Sequence, residues 1–239
     1  ELAPDNPEWQ GQEPFASVLK GDHKAALSGG EHALLEMVKA THAGDTADKF
    51  AESVARWLAS ARHPDSGRPY TEMVFQPMLE LLDYLRANQF KVFIVSGGGV
   101  DFLRVFAEEV YKIPPEQVIG SSLTATYEVQ NGIPVIVKQP EIDFINDKAG
   151  KPVGIHRFIG RRPVIAVGNS DGDFEMLEWT SGGEGPRLAM IVLHDDDERE
   201  WAYDRDSHIG RLARGLDEAP QRDWKIISMK NDWKRIFPE

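Results

Sequence analysis

The chain has 239 residues, of which 41% are hydrophobic and 28% charged, a composition typical of a globular protein with a sizeable core. Its formal net charge of −12, from 39 acidic against 27 basic residues, argues against a nucleic-acid binder and against a protein that binds anionic membranes. The absence of cysteine excludes disulfides and thiol chemistry, and no apolar run approaches the roughly 20 residues of a membrane span, so we expect a soluble protein of the cytoplasm or periplasm.

Residues 1–76 are predicted to form a helical domain. Apolar residues recur at helical spacing in two of its segments, 31–40 and 46–61. A loop marked by three prolines and a glycine follows at 61–77. Arg62 and Arg68 in this loop are candidate substrate-binding residues, because the loop can fold over the carboxyl edge of a sheet, where such folds bind ligands.

Beyond residue 77 the apolar pattern alternates between helices and strands, which predicts an α/β sheet. Helices are expected at 78–88, at 100–111, from 151 onward and at 173–179. Strands are expected at 91–95, 117–121, 164–167, 188–193 and 224–229. Asn131-Gly132 lies between β-rich flanks, which is a strong signal for a hairpin with a two-residue turn. The segment 141–154 is expected to be irregular.

Two of these strands are followed by polar residues that indicate chemistry. The strand at 91–95 ends in Ser96-Gly97-Gly98-Gly99, so a hydroxyl and several backbone N–H groups face the space beyond it, an arrangement that suits a phosphate. The strand at 164–167 brings Asn169, Asp171 and Asp173 to the same edge of the sheet. Phosphate donors beside oxygen ligands predict a Mg²⁺-assisted phosphoryl site.

Ordinary structural roles remain open for the same residues. Glycine is common at any turn between a strand and a helix. Asp171 or Asp173 is also a good N-cap for a helix that begins at Phe174.

Three stretches carry a resemblance to a known family. PMLELLDYLRANQFKVFIVSGGG at 77–99, a lysine near position 150 and VGNSDGDFEM at 167–176 resemble, in order and spacing, successive motifs of the haloacid dehalogenase superfamily, particularly its phosphoserine-phosphatase-like branch. The resemblance covers about residues 77–195. It implies a doubly wound, mainly parallel sheet as the core at 77–239, with residues 1–76 as a helical cap. It also implies a Mg²⁺-dependent phosphatase that acts on a small phosphorylated metabolite through an aspartyl phosphate.

The resemblance assigns the phosphate-binding roles. Ser96 matches the family's hydroxyl that bonds the phosphoryl group together with a glycine N–H, here Gly97 or Gly98. Lys151 matches the lysine that neutralises the phosphate and the nucleophile, because apolar residues follow it at helical spacing. Lys148 is the alternative.

The resemblance also assigns the metal-binding roles, with one departure. Asn169 stands where the family usually has an aspartate, and its amide oxygen can ligate Mg²⁺ but brings no charge. Asp171 could supply that charge, and Asp173 would orient the waters of the metal.

The family's first motif, a strand that ends in Asp-x-Asp-x-Thr, does not occur in this chain. The first Asp of that motif attacks phosphorus and the second handles the proton of the leaving group. We therefore expect the nucleophile upstream of Glu1, on a strand between those at 91–95 and 164–167. Without it, these two strands are expected to stand about 10 Å apart, at a strand spacing of about 4.8 Å. The alternative is a catalytically inactive module that binds a phosphorylated ligand or regulates a partner.

Overall fold

The computed structural model describes residues 3–26, 37, 40, 43–207 and 210–238. Of the helix expected at 31–40, all but Met37 and Ala40 lie outside the described residues. Helices form at Phe15–Leu19 (α1), His23–Ala26 (α2), Ala47–Ser60 (α3), Gln76–Ala87 (α4), Val100–Tyr111 (α5), Gly150–Phe158 (α6), Phe174–Ser181 (α7), Arg214–Glu218 (α8) and Met229–Asp232 (α9). Strands form at Ile94–Gly99 (β1), Val118–Gln130 (β2), Ile133–Phe144 (β3), Ile165–Gly168 (β4), Leu188–Leu193 (β5) and Lys225–Ser228 (β6).

The described strands form two three-stranded sheets. In one sheet the order is β1-β2-β3, and β1 pairs with β2 in parallel. In the other the order is β4-β5-β6, and both pairs are parallel. Alternating helices and parallel strands confirm the predicted α/β class. Within the described residues no backbone pairing joins β1 to β4, and the predicted separation of these two strands stays a prediction.

Strand β1 differs from its predicted bounds. It begins at Ile94 and continues through Gly99, whereas the sequence placed its end at Val95. The register moves from Val95 opposite Ile119 to Gly99 opposite Ser121, so four steps along β1 face two along β2. The two extra residues are accommodated as a bulge in the serine and glycine run, where the lack of Cβ atoms lets the backbone bend. Helix α5 then begins at Val100, as predicted.

The hairpin prediction is confirmed. Strands β2 and β3 are joined by Asn131 and Gly132, whose φ angles are 53° and 80°. Positive φ at both central residues is the requirement of a type I′ turn, and Asn-Gly meets it. The hairpin is longer than expected, because β3 runs to Phe144 through the first part of the segment predicted to be irregular.

The chain divides into two compact units. One contains Glu1–Ser53 with Ser122–Asp143, and the other contains Val54–Ser121 with Phe144–Glu239. The predicted division into a helical domain at 1–76 and a core at 77–239 stays a prediction. The part of the hairpin at Ser122–Asp143 belongs to the first unit, where Gly44 N–H donates to Lys138 O and Lys138 N–H donates to Asp45 O, both at 2.9 Å.

The second unit, Val54–Ser121 with Phe144–Glu239, is the α/β unit and has apolar clusters on both faces of β5. Ile191 belongs to a cluster with Ile155 of α6 and Leu177 of α7. Its neighbour Val192 belongs to another cluster, with Met229 of α9. Because successive side chains of a strand point to opposite faces, β5 is covered on both sides, as a parallel strand in a doubly wound sheet is expected to be. None of the helices in the described ranges has the length and apolar character to cross a membrane.

Gly120 of β2 allows the close approach of the bulge. A Cβ at this position would lie 2.6 Å from Gly98 O and 2.9 Å from Val100 N, which are backbone atoms that cannot swing away. We expect Gly120→Ala to lower the free energy of unfolding by about 3 kcal/mol, the upper part of the range for overpacking. Urea unfolding measures it. Gly99→Ala is the control, because a Cβ there meets nothing within 4 Å. Equal stabilities of the two variants would contradict the close approach.

Candidate active site

A buried ion pair lies at the centre of the candidate site. Lys151 Nζ, on α6, is 2.5 Å from Asp173 Oδ1, and the two side chains are only 9% and 6% exposed. The same ammonium group donates to Val95 O of β1 at 3.0 Å. Burial of either charge alone is costly, so each side chain depends on the other. The pair links β1 to the turn that follows β4.

The second oxygen of Asp173 is also fully used. Oδ2 accepts from Asn169 N at 2.9 Å, from Ser170 N at 3.1 Å and from Ser170 Oγ at 3.3 Å. A Cβ at Gly168 would lie 2.4 Å from the Asp173 Cβ, so only glycine lets this side chain fold back onto the strand end. Asp173 therefore fixes both Lys151 and the backbone that carries Asn169.

The serine and glycine turn is held by a buried asparagine. Asn146 Nδ2 donates to Ser96 O at 2.8 Å, and Asn146 N donates to Ser121 Oγ at 3.0 Å. Ser121 Oγ in turn donates to Gly97 O at 2.8 Å. Ser96 Oγ accepts from Gly98 N at 3.1 Å. These bonds fix the peptide groups of the turn. Asn146 is fully buried, and the sequence did not single it out.

The structure brings several of the predicted site residues together through hydrogen bonds. Ser96 follows Val95, which accepts from Lys151, and Lys151 pairs with Asp173, which accepts from Asn169. These contacts lie between β1 and the turn that follows β4. Lys148, the alternative lysine, has an exposed side chain. The chemical roles of these residues stay predictions.

Asp171 makes different contacts from those expected. Its carboxylate accepts from Ala213 N at 3.0 Å, from Arg214 N at 3.2 Å and from Gly215 N at 2.9 Å. It therefore caps the start of α8, where an acceptor satisfies unpaired N–H groups. Helix α7 has Asp173 at its N-cap position but no side-chain cap there. The 3-10 turn at Asp171–Asp173 that precedes α7 is capped by Ser170, whose side chain accepts from Gly172 N.

Asp147 is a carboxylate that the sequence left in an irregular segment. Its Oδ1 lies 3.7 Å from the position of a Cβ on Gly97 and 2.6 Å from that of a Cβ on Gly172. The loop is tied to the second of these residues because Lys148 N–H donates to Gly172 O at 3.0 Å. Asp147 is exposed and lies beside the serine and glycine turn. Its position four residues before Lys151 was the only signal for it.

The two candidate arginines lie elsewhere in the α/β unit. Arg62 Nη1 donates to Ala59 O at 3.1 Å and to Ala61 O at 2.9 Å, so its guanidinium caps the end of α3. The guanidinium of Arg68 lies over the Phe237 ring, 5.2 Å from its centroid, and lines a cavity of about 710 Å³. In the described part of the chain neither arginine bonds to Ser96, Lys151 or Asp173. Their substrate-binding role stays a prediction.

The residues present do not by themselves fit a magnesium ion. In the described ranges no three His, Asp or Glu side chains lie close enough to hold a metal. Asp171 and Asp173 are occupied by the hydrogen bonds above. The remaining oxygen donors are Asn169 Oδ1, which accepts no hydrogen bond within the described residues, and exposed Asp147. Mg²⁺ takes an octahedral shell of oxygen ligands at close to 2 Å, usually from one or two carboxylates together with substrate phosphate and waters, so one amide oxygen and one exposed carboxylate supply only part of such a site.

The motif order and the buried lysine and aspartate agree with a comparison against known families. The model of haloacid dehalogenase-like hydrolases matches residues 8–178. The chain belongs to this family. Comparison with curated proteins gives no significant match.

Two solved structures are similar to this haloacid dehalogenase-like chain at low sequence identity. A conserved protein of unknown function from Anaerococcus prevotii DSM 20548 is 21% identical with a TM-score of 0.48, over 64% of this chain. The chain spans 45% of the length of that protein. A phosphoserine phosphohydrolase-like protein from Francisella tularensis subsp. tularensis SCHU S4 is 16% identical with a TM-score of 0.46, over 92% of this chain and 89% of its own.

Removal of one partner of the buried pair is expected to destabilise the protein. Lys151→Met leaves Asp173 buried without its cation, which costs about 3–5 kcal/mol of unfolding free energy for buried pairs of this kind. Lys148→Met is the matched control, because that lysine is exposed and its change should stay within about 0.5 kcal/mol. Urea unfolding of both variants measures the difference. Similar stabilities would show that the pair contributes little.

The capping role of Asp171 can be tested in the same way. Asp171→Ala leaves three N–H groups at the start of α8 without their acceptor, so the free energy of unfolding should fall by about 1–2 kcal/mol. Asp65→Ala removes an exposed carboxylate from a loop and serves as the control. A variant at Asp171 as stable as the wild type would contradict the capping role.

Proposed function

We propose that this chain carries the phosphate-binding site of a phosphomonoester hydrolase that acts on a small phosphorylated metabolite. The observation that carries the proposal is the buried ammonium group of Lys151, which lies between Val95 O and Asp173 beside the serine and glycine turn. Membership of the haloacid dehalogenase-like hydrolases supports the reaction class.

Ser96 Oγ–H and Gly97 N–H are the proposed donors to the phosphoryl oxygens. Ser96 Oγ already accepts from Gly98 N–H, so its own proton is available to another acceptor. The N–H of Gly98 is used in that bond, which favours Gly97 as the glycine donor. Asn146 and Ser121 hold the carbonyl groups of the turn. Donors fixed in advance stabilise the charge of a phosphoryl group without the cost of reorganisation.

Lys151 is the proposed cation for the phosphate. An ammonium group has three donors, and two of them are directed to Asp173 Oδ1 and Val95 O. The third can bond the ligand. Asp173 holds the ammonium group in place, and this proposed positioning role differs from the orientation of metal waters that the resemblance implies.

The nucleophile in this proposal is an aspartate on a segment upstream of Glu1. Its attack on phosphorus would form an aspartyl phosphate and release the alcohol of the substrate, and water would then hydrolyse the acyl phosphate. Dependence on Mg²⁺ is part of the proposal only for a form that contains this segment, because the described residues lack the carboxylates for the ion. Asn169 Oδ1 would contribute one ligand.

A catalytically inactive binding module is the second candidate. The donors and the ammonium group of the turn serve the binding of a phosphate whether or not a nucleophile is present. The two candidates therefore differ in turnover and agree in phosphate binding.

The binding site is tested with inorganic phosphate as the probe. Calorimetric titration of the 239-residue chain should detect binding, and Ser96→Ala should weaken it about tenfold or more, because a hydrogen bond to a charged group contributes about 1.5–3 kcal/mol. Ser60→Ala removes a hydroxyl that donates to Arg56 O and Trp57 O of its own helix α3 and should leave the affinity unchanged. A chain that binds no phosphate would sink the proposed site.

The reaction is tested by hydrolysis of p-nitrophenyl phosphate. The natural gene product with its upstream residues and the 239-residue chain are compared, each with and without Mg²⁺. We expect turnover only in the longer form with Mg²⁺. Phosphate binding without turnover in either form would identify a binding module. Robust hydrolysis by the 239-residue chain would overturn the upstream nucleophile and direct the search to Asp171, Asp173 and Asp195.

A further inference from the structure

A hydrogen-bonded series of polar side chains, buried at His194 and Glu200 and half-buried at Tyr203, ends at half-buried Asn169. His194 follows β5, and its Nδ1 lies 3.0 Å from Glu200 Oε2. These two side chains are 3% and 7% exposed. His194 Nε2 lies 3.1 Å from Tyr203 OH, which lies 3.2 Å from Asn169 Nδ2. Asn169 Nδ2 is also 3.3 Å from His194 Nε2. The other end of the series, Glu200, lines the cavity that also contains Arg68.

The available donors and acceptors give these hydrogen bonds one direction, in which each side chain donates to the next from Asn169 toward Glu200. A carboxylate accepts only, so His194 donates from Nδ1 to Glu200 and presents a lone pair at Nε2. Tyr203 OH donates its single proton to that lone pair. The tyrosine oxygen then accepts from Asn169 Nδ2.

The surrounding structure fixes these side chains before any ligand arrives. The Tyr203 ring is stacked on His194 with centroids 4.3 Å apart, and Phe75 packs edge-on against the imidazole at 5.6 Å. Tyr203 N–H donates to His194 O at 3.0 Å, which closes the loop between them. Arg199 anchors that loop by donating to the carbonyl groups of Met229, Lys230, Trp233 and Lys234.

We propose that Glu200, His194 and Tyr203 are positioning residues that hold the Asn169 carboxamide with Nδ2 toward them and Oδ1 toward the candidate active site. A carboxylate at position 169 would set its oxygen against the lone pairs of Tyr203 and His194. The same series of side chains thus explains why an amide occupies a position at which the resemblance predicts an aspartate. The relevance to catalysis rests on the proposed function, whereas the orientation of the amide does not.

The orientation is tested by NMR of the ligand-free 239-residue chain labelled with ¹⁵N. Asn169→Asp identifies the side-chain amide signals of Asn169 by their loss. Tyr203→Phe keeps the ring and removes only the hydroxyl, so these signals should shift and their exchange with water should become faster. Glu200→Leu removes the acceptor that fixes the histidine tautomer and should have the same effect. Tyr84→Phe changes an exposed tyrosine and is the control.

The catalytic consequence is tested in the longer, Mg²⁺-supplied form. Tyr203→Phe should lower kcat about 10- to 100-fold with little change in KM, because small misplacements of a site group carry costs of that size. Unchanged Asn169 signals in Tyr203→Phe, with an otherwise native backbone spectrum, would overturn the proposed orientation. Shifted signals with unchanged kcat would overturn the positioning role. If no form of the wild type turns over, the proposed reaction fails, and the NMR result still decides the orientation.

Discussion

The geometry of the site depends on the buried pair of Lys151 and Asp173. At a separation of 2.5 Å, the two charges compensate each other for the loss of water, which neither could bear alone in the interior. Asp173 has a second function in the fold, because its other oxygen holds the backbone at Asn169 and Ser170. One carboxylate therefore sets both the position of the ammonium group and the path of the chain beyond β4. This arrangement requires glycine at position 168, since any larger residue would occupy the space of the Asp173 side chain.

The pair also explains how two separate sheets can share one site. Parallel strands bring their carboxyl ends to one edge, where polar side chains and free N–H groups collect. Strand β1 pairs with β2, and β4 pairs with β5, so no described backbone ladder connects the two edges. Lys151 spans them from α6 by bonding Val95 O and Asp173 together. The bulge in β1 then turns the serine and glycine residues toward the same place. The site is thus assembled by side chains at the point where the strand pairing is interrupted.

Local pattern was sufficient for the elements and for the residues that lie directly on them. The strand that contains Ser96, the Asn131-Gly132 turn and the helix that carries Lys151 all follow from spacing and composition. Roles that depend on distant partners could not be read in this way. Asp171 looked like a ligand because it lies between Asn169 and Asp173, yet its partners are N–H groups more than 40 residues later. The hydrogen-bonded side chains from Glu200 to Asn169 were missed for the same reason. A sequence does not show which side chains 31 residues apart are joined by hydrogen bonds.

The charges of the residues in the candidate site bear on whether a phosphate there would need a metal ion. Lys151 and Asp173 sum to zero, and Asn169 adds an acceptor without adding charge. An anionic phosphate at the proposed site would therefore meet an ammonium group and neutral donors, and exposed Asp147 would oppose it. A nucleophilic carboxylate added to this site would repel the phosphate by about 4 kcal/mol at 4 Å and an effective dielectric constant of about 20. A divalent cation offsets that repulsion. Under the proposed function, the need for a metal would therefore arise with the nucleophile, whereas the proposed binding of phosphate by the described residues would not require one.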